Sequence, residues 1–123
     1  MKRIYYAHAM CLYGGPEELQ DLARIRKKFR GRVVNPAAYD GHPGKVQDGV
    51  KFCLRLVEDC DAVVFSRLLD KITAGVGKEV NHALKVGKPV FELFAGRFTR
   101  RNRPVRYISR RATIRLYSKW RTL

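Results

Sequence analysis

The chain predicts a doubly wound α/β fold, one parallel sheet of four to five strands with helices on both faces, from three observations. Short β-branched and aromatic runs alternate with longer amphipathic stretches. Glycine and proline fall between the two kinds of segment. One run, Ala62-Val63-Val64-Phe65, is apolar without interruption, as a strand buried on both faces requires. Strands that alternate with helices pair in parallel through right-handed crossovers, which is the flavodoxin-like arrangement.

Taken in order, Arg3 to Ala7 reads as the first strand and Gly14-Gly15-Pro16 as the turn that opens a helix. Residues Glu17 to Phe29 set Leu19, Leu22, Ile25 and Phe29 on one stripe, with acids first and bases last, as the helix dipole favours. Arg32 to Asn35 is a short second strand, and Pro36 to Lys45, with two prolines and two glycines, is the longest irregular loop. Gln47 to Asp59 reads as one helix with Val50, Leu54 and Val57 inward. The strand at 62–65 follows, then a loop, a helix over Gly75 to Val86 and a strand over Val90 to Leu93. Beyond Phe94, Gly96 to Pro104 reads as a basic loop, Val105 to Ile108 as a fifth strand and Ser109 as the cap of a last helix, with an extended hairpin over 113–117 as the alternative.

With 123 residues, 46% hydrophobic and 30% charged, the chain has the length and composition of one folded domain. No apolar run is long enough to span a bilayer, and Lys2-Arg3 leads into a strand rather than a signal-peptide core, so no membrane partner and a cytoplasmic location are expected. Cys11, Cys53 and Cys60 form no CxxC pair, and His8, His42 and His82 are widely separated, so neither a disulfide framework nor a metal site is indicated.

Of the net charge of +15, residues 94–123 contribute +10, carrying ten Lys+Arg and no acid. Such a block attracts nucleic acid, a nucleotide or an acidic partner; the alternative is a solvated, solubilising face.

Ligands of a doubly wound sheet bind at the carboxyl ends of its strands. Residues 8–15, 35–44, 66–79 and 92–96 follow those ends, and they bring together His8, Met10, Tyr13, Tyr39, Thr73, Gly75 and Gly77 as candidate substrate-binding residues. Tyr13 and Tyr39 are suited to stacking on a base or ribose, as is Tyr6, for which a core position is favoured. Gly75 and Gly77 admit close backbone approach at a helix N-terminus, where unpaired N–H groups attract phosphate, and Thr73 adds a hydroxyl. Glu79 sits in the first turns of the same helix.

Ile4-Tyr5-Tyr6-Ala7, Cys60-Asp61-Ala62-Val63-Val64-Phe65, Gly75-Val76-Gly77-Lys78-Glu79-Val80, Ala83 and Gly87-Lys88-Pro89-Val90 together resemble the nucleoside 2-deoxyribosyltransferase and deoxynucleotide N-glycosidase family. The likeness covers roughly residues 3–94 as one domain and leaves residues 95–123 as a basic extension, read as a last strand and helix of that domain. It implies a nucleoside or nucleotide substrate, no cofactor, and Glu79 as the nucleophile that attacks the anomeric carbon. It also implies a homo-oligomer in which neighbouring subunits close the site. Where the family carries an acid in the helix before the third strand, this chain has Cys53; Asp48 is the leading substitute, with Asp40 and Asp70 behind it. Where phosphate-recognising members carry Ser and Arg, the first loop here has Met10-Cys11-Leu12-Tyr13.

Two further functions compete with the enzyme. One is a non-catalytic nucleotide- or nucleic-acid-binding module on the same fold. The weaker is a metal-dependent phosphoryl-transfer domain built on Glu58-Asp59-Cys60-Asp61, which precedes its strand and so belongs at the edge opposite the pocket.

Overall fold

A computed structural model describes residues 2–123. In chain order its elements are β1 (Arg3–Ala7), α1 (Pro16–Phe29), β2 (Arg32–Val34), α2 (Pro43–Gln47), α3 (Gly49–Glu58), β3 (Ala62–Phe65), α4 (Ala74–Lys85), β4 (Val90–Phe94), β5 (Arg97–Arg101) and α5 (Arg110–Arg121). Single 3-10 turns at Met10–Leu12 and Pro36–Tyr39 follow β1 and β2. The strands stand in the order β2-β1-β3-β4-β5, with β1 to β4 parallel and β5 antiparallel at the edge. This is the flavodoxin-like order, and its crossovers change side at β1 and β3, whose carboxyl ends therefore open a crevice. No helix is long and apolar enough to cross a membrane among the described residues.

Strand alternation divides the core. Tyr5, Ala7, Val63, Phe65 and Val90 face α3 and α4, where they meet Val57, Val76, Val80 and Ala83. Ile4, Tyr6, Ala62, Val64 and Leu93 face α1 and meet Leu22 and Ile25. The two adjacent tyrosines of β1 thus point to opposite sides of the sheet, as the period of two demands. Tyr6 is fully buried, and its hydroxyl is held by Asp21 and by Ser66. At the amino edge, Asp61 accepts from the backbone N–H of Lys2 and Arg3, each at 2.9 Å, and Glu58 pairs with His82 at 2.7 Å. The acidic run lies away from the crevice and serves to tie β1 and α4 in place.

Several expectations need correction. The helix read over 47–59 is broken at Asp48, because Pro43 starts a helix early under a His42 cap and Asp48 then caps α3 by accepting from Lys51 N at 3.1 Å. An Asp favours the cap position over a helix interior, and Gly49 behind it eases the break. Val50 is consequently exposed, as is Leu19, which α1 turns outward. The loop after β2 is partly helical as well: Asn35 accepts from Ala37 N and Pro36 opens a 3-10 turn, and Pro43 opens α2.

The fifth strand is Arg97–Arg101, which the sequence suggested as loop, while Val105 to Ile108 carries no regular secondary structure and lies outside the sheet. Ala95 and Gly96 both take positive φ, 50° and 76°, which makes the two-residue hairpin turn that Phe94 and Arg97 flank. The arginines that looked like a loop suit an edge strand, where charge discourages further pairing. Ser109 does cap the last helix, accepting from Ala112 N at 3.1 Å.

The extension after Phe94 is built into the body. Asn81 holds the Val105 backbone in both directions, at 2.7 and 3.0 Å, and Ile108 N donates to Ile72 O at 3.0 Å. Glu92 is buried on β4, and although burial raises its proton affinity, the guanidinium groups of Arg67 and Arg101 outweigh it and hold the carboxyl below its ordinary pKa. Leu116, Tyr117 and Trp120 cover Ala9, Leu12 and Leu68.

Candidate active site

The crevice at the carboxyl ends of β1 and β3 is a cleft of about 890 Å³, a volume suited to a nucleotide. Its floor is Glu79, reached from the second turn of α4 because residues 76, 79, 80 and 83 share the helix face turned to the sheet. The Tyr5 hydroxyl donates to Glu79 Oε2 at 2.6 Å, across the gap between β1 and α4. Cys53, from α3, lies against both groups.

This surrounding protein pushes the Glu79 pKa up to about 7, chiefly by desolvation; hydrogen bonding from Tyr5 and Cys53 and the charge of Lys45 pull the other way. Glu79 is open to the cleft along one side, yet its carboxylate is ringed by protein, and the ring decides its proton affinity. Burial, followed by the nearby Glu79 charge, raises the Cys53 thiol to about 11, so it stays protonated at neutral pH. Tyr5 is raised well above its ordinary value, first by burial and then by Glu79.

Lys45 brings the cation. Its ammonium donates to Pro36 O at 2.7 Å and to Asp40, and it stands 5.2 Å from the centre of the Tyr13 ring. Asp40 is therefore ion-paired with Lys45 and Asp48 is occupied as a helix cap, although both line the cleft.

Of the residues singled out from sequence, His8, Met10, Tyr13, Asp48, Thr73, Gly75 and Glu79 meet at this one cleft. His8 is committed within the fold: Nε2 contacts Glu18 Oε2 at 2.6 Å, Nδ1 contacts Tyr6 O at 3.0 Å, and its ring stacks on Tyr6 at 4.1 Å. Thr73 precedes α4 without capping it; its Oγ1 is buried with no hydrogen-bond partner, although the Tyr117 hydroxyl lies beside it. A side chain added at Gly75 would meet open space, so that position leaves room for a ligand.

Tyr39 and Gly77 stand elsewhere. Tyr39 packs on Phe52 at 5.5 Å and does not line the cleft. A Cβ on Gly77 would fall 2.2 to 2.5 Å from Tyr107, including its Cβ, so this glycine admits the segment before α5 and no ligand. Gly77→Ala is expected to cost roughly 1–3 kcal/mol by overpacking, read as a lowered denaturation midpoint. Adding Tyr107→Gly should recover part of the loss; equal stability of Gly77→Ala and the parent would refute the packing role.

Tyr5 and Lys45 are the site residues that sequence reading missed. The signal for Tyr5 was parity: it shares a strand face with Ala7 and with the strand positions that meet α4, one residue out of step with Tyr6. Lys45 carried no local signal, because it depends on where α2 packs. No protein-family model and no curated protein matches the chain.

Proposed function

We propose that the chain breaks or transfers the N-glycosidic bond of a nucleoside or nucleotide, with Glu79 as nucleophile. The observation that carries this reading is a desolvated carboxylate at the floor of a nucleotide-sized cleft, one oxygen held by Tyr5 at 2.6 Å. The ionised carboxylate, held by Tyr5 at Oε2, is the group that attacks. It bonds to the anomeric carbon as the C–N bond breaks, and the bonding electron pair leaves with the base, which takes a proton from water in the open cleft. A second water, or the nitrogen of an incoming base, then displaces the carboxylate. Its own proton passes to solvent, and Glu79 is regenerated ionised. A carboxylate close to the sugar also stabilises the oxocarbenium character of both steps.

Tyr13 and the cation of Lys45 beside it suit the base, while Gly75, where the cleft is open, suits the sugar or its phosphate; Thr73 Oγ1 is buried beside the Tyr117 hydroxyl and does not reach the cleft. Cys53 keeps its proton near neutral pH and so donates a hydrogen bond to the carboxylate without serving as an efficient acid. Substrates whose bases leave without strong protonation are therefore expected to be preferred.

The test is chromatographic detection of free base from ribo- and deoxyribonucleosides and their 5′-monophosphates incubated with the full chain. Release from at least one class is expected. Release from none, together with saturable binding of the same compounds, would overturn catalysis and favour the binding module.

A further inference from the structure

The last helix carries to the lip of the cleft something its floor lacks, which is unpaired positive charge next to open apolar surface. Thr113, Leu116, Tyr117 and Trp120 turn α5 toward the body, and Arg110 and Ile114 line the cleft beside them. Helical spacing sets Arg111 and Arg115 on the outward side, where both are exposed. Among the described residues none of Arg110, Arg111, Arg115, Lys119 and Arg121 forms a salt bridge, whereas Arg67 and Arg101 are both tied to Glu92. Arg103 and Arg106, just before the helix, are exposed and equally unpaired. Cations crowded this way repel one another, so the arrangement is complementary to a polyanion.

The lip has a second property. Met10, Val46, Val50 and Ile114 all line the cleft, yet they are 59%, 74%, 50% and 55% exposed. A mononucleotide seated on Glu79 reaches the floor and leaves the outer cations and this apolar rim unused. A strand with phosphates spaced along it and unpaired bases between them matches both.

We propose that α5 and the segment before it dock a single-stranded nucleic acid, with one of its nucleotides entering the cleft, so that the substrate is a nucleotide within a strand. The chemistry of this proposal rests on the N-glycosidic reading; the docking does not. Phosphates follow Arg111 and Arg115 outside, Arg110 marks the entry, and the apolar rim takes the bases that flank the inserted nucleotide. A duplex hides its bases and satisfies only the cations.

Fluorescence anisotropy with a labelled oligothymidylate of about 20 nucleotides, measured over a salt series, tests the docking. Binding is expected, with log K falling linearly against log salt. Arg111→Gln with Arg115→Gln should weaken it at least about tenfold at low salt and flatten the slope by roughly 1.4, two phosphate contacts at about 0.7 each for single strands. Ile114→Ser should weaken binding and leave the slope unchanged, and the matching duplex should bind less tightly than the strand.

Absence of binding, an unchanged slope in the double variant while circular dichroism shows it folded, or equal affinity for the duplex would each overturn the proposal. So would a dimer in sedimentation that Ile114→Ser dissociates without altering nucleic-acid affinity, since the rim would then be covered by a second copy. Base release from free nucleotides without oligonucleotide binding overturns the docking alone. Oligonucleotide binding that meets every expectation above, without base release from any substrate, upholds the docking and overturns the catalytic reading.

Discussion

Glu79→Gln is expected to abolish base release, by on the order of 10³-fold or more, while the chain stays folded and still binds its substrate. The amide retains the shape of the carboxylate and accepts from Tyr5, so the cleft keeps its form, but it cannot attack the anomeric carbon. The parent protein should show base release that rises with pH through about 7, because the nucleophile is the ionised form and burial holds half of it neutral there. Tyr5→Phe removes a hydrogen bond that favours ionisation, so its inflection should move to higher pH. Full turnover by Glu79→Gln, or a flat profile between pH of about 5 and 9, would remove Glu79 from the mechanism.

The same raised pKa makes a stability statement that needs no substrate. The folded chain retains the Glu79 proton up to about 7, whereas the unfolded chain releases it near the ordinary value of 4.5. The stability linked to that proton is complete below the lower value and is lost as the pH rises through the upper one. Glu79→Gln is neutral throughout, so it should match the parent at pH of about 4 and exceed it by roughly 1–3 kcal/mol at pH of about 8.5, after allowance for access from the cleft. Denaturant midpoints at the two pH values measure this. A gain that is equal at both would assign the effect to something other than ionisation.

The parts of the molecule that follow from short-range patterns were legible in the sequence. β1 and β3 fall where their apolar runs lie, Pro16 opens α1, and Ser109 caps α5. Glu79 was legible because helix spacing and sheet order together put the start of α4 at the crevice. What could not be read depends on pairing between distant segments. Ala95-Gly96 is a turn only when β5 folds back on β4, and Arg97 to Arg101 become a strand only through that register. Gly77 looked like a phosphate glycine because its partner, Tyr107, is far along the chain. Tyr5 and Tyr6 were indistinguishable until α1 and α4 had been assigned to opposite faces of the sheet.

Ending the chain after Phe94 is expected to abolish cooperative folding, because the extension closes three parts of the body at once. Without β5, the backbone of β4 loses its antiparallel partners from Arg97 to Arg101 and becomes an open edge, which invites association between chains. Glu92 keeps Arg67 but loses Arg101, and a buried carboxylate left with less compensation becomes costly. Ala74 N at the start of α4 loses Thr113 Oγ1, its acceptor at 3.0 Å, and Asn81 loses both bonds to Val105. Each buried polar group left unpaired costs about 1–3 kcal/mol, against a total stability of about 5–15 kcal/mol for a domain. Uncovering Leu12 and Leu68 by removing Leu116, Tyr117 and Trp120 adds the loss of apolar burial. Thermal melting followed by circular dichroism, on the full chain and on residues 1–94, decides the matter. A truncated protein that melts cooperatively near the parent temperature would make the extension a solvated appendage. Truncation after Arg101 separates the contributions: it retains the β4–β5 hairpin and the Glu92 clamp, so it should recover solubility while the mouth of the cleft and the start of α4 remain unsupported.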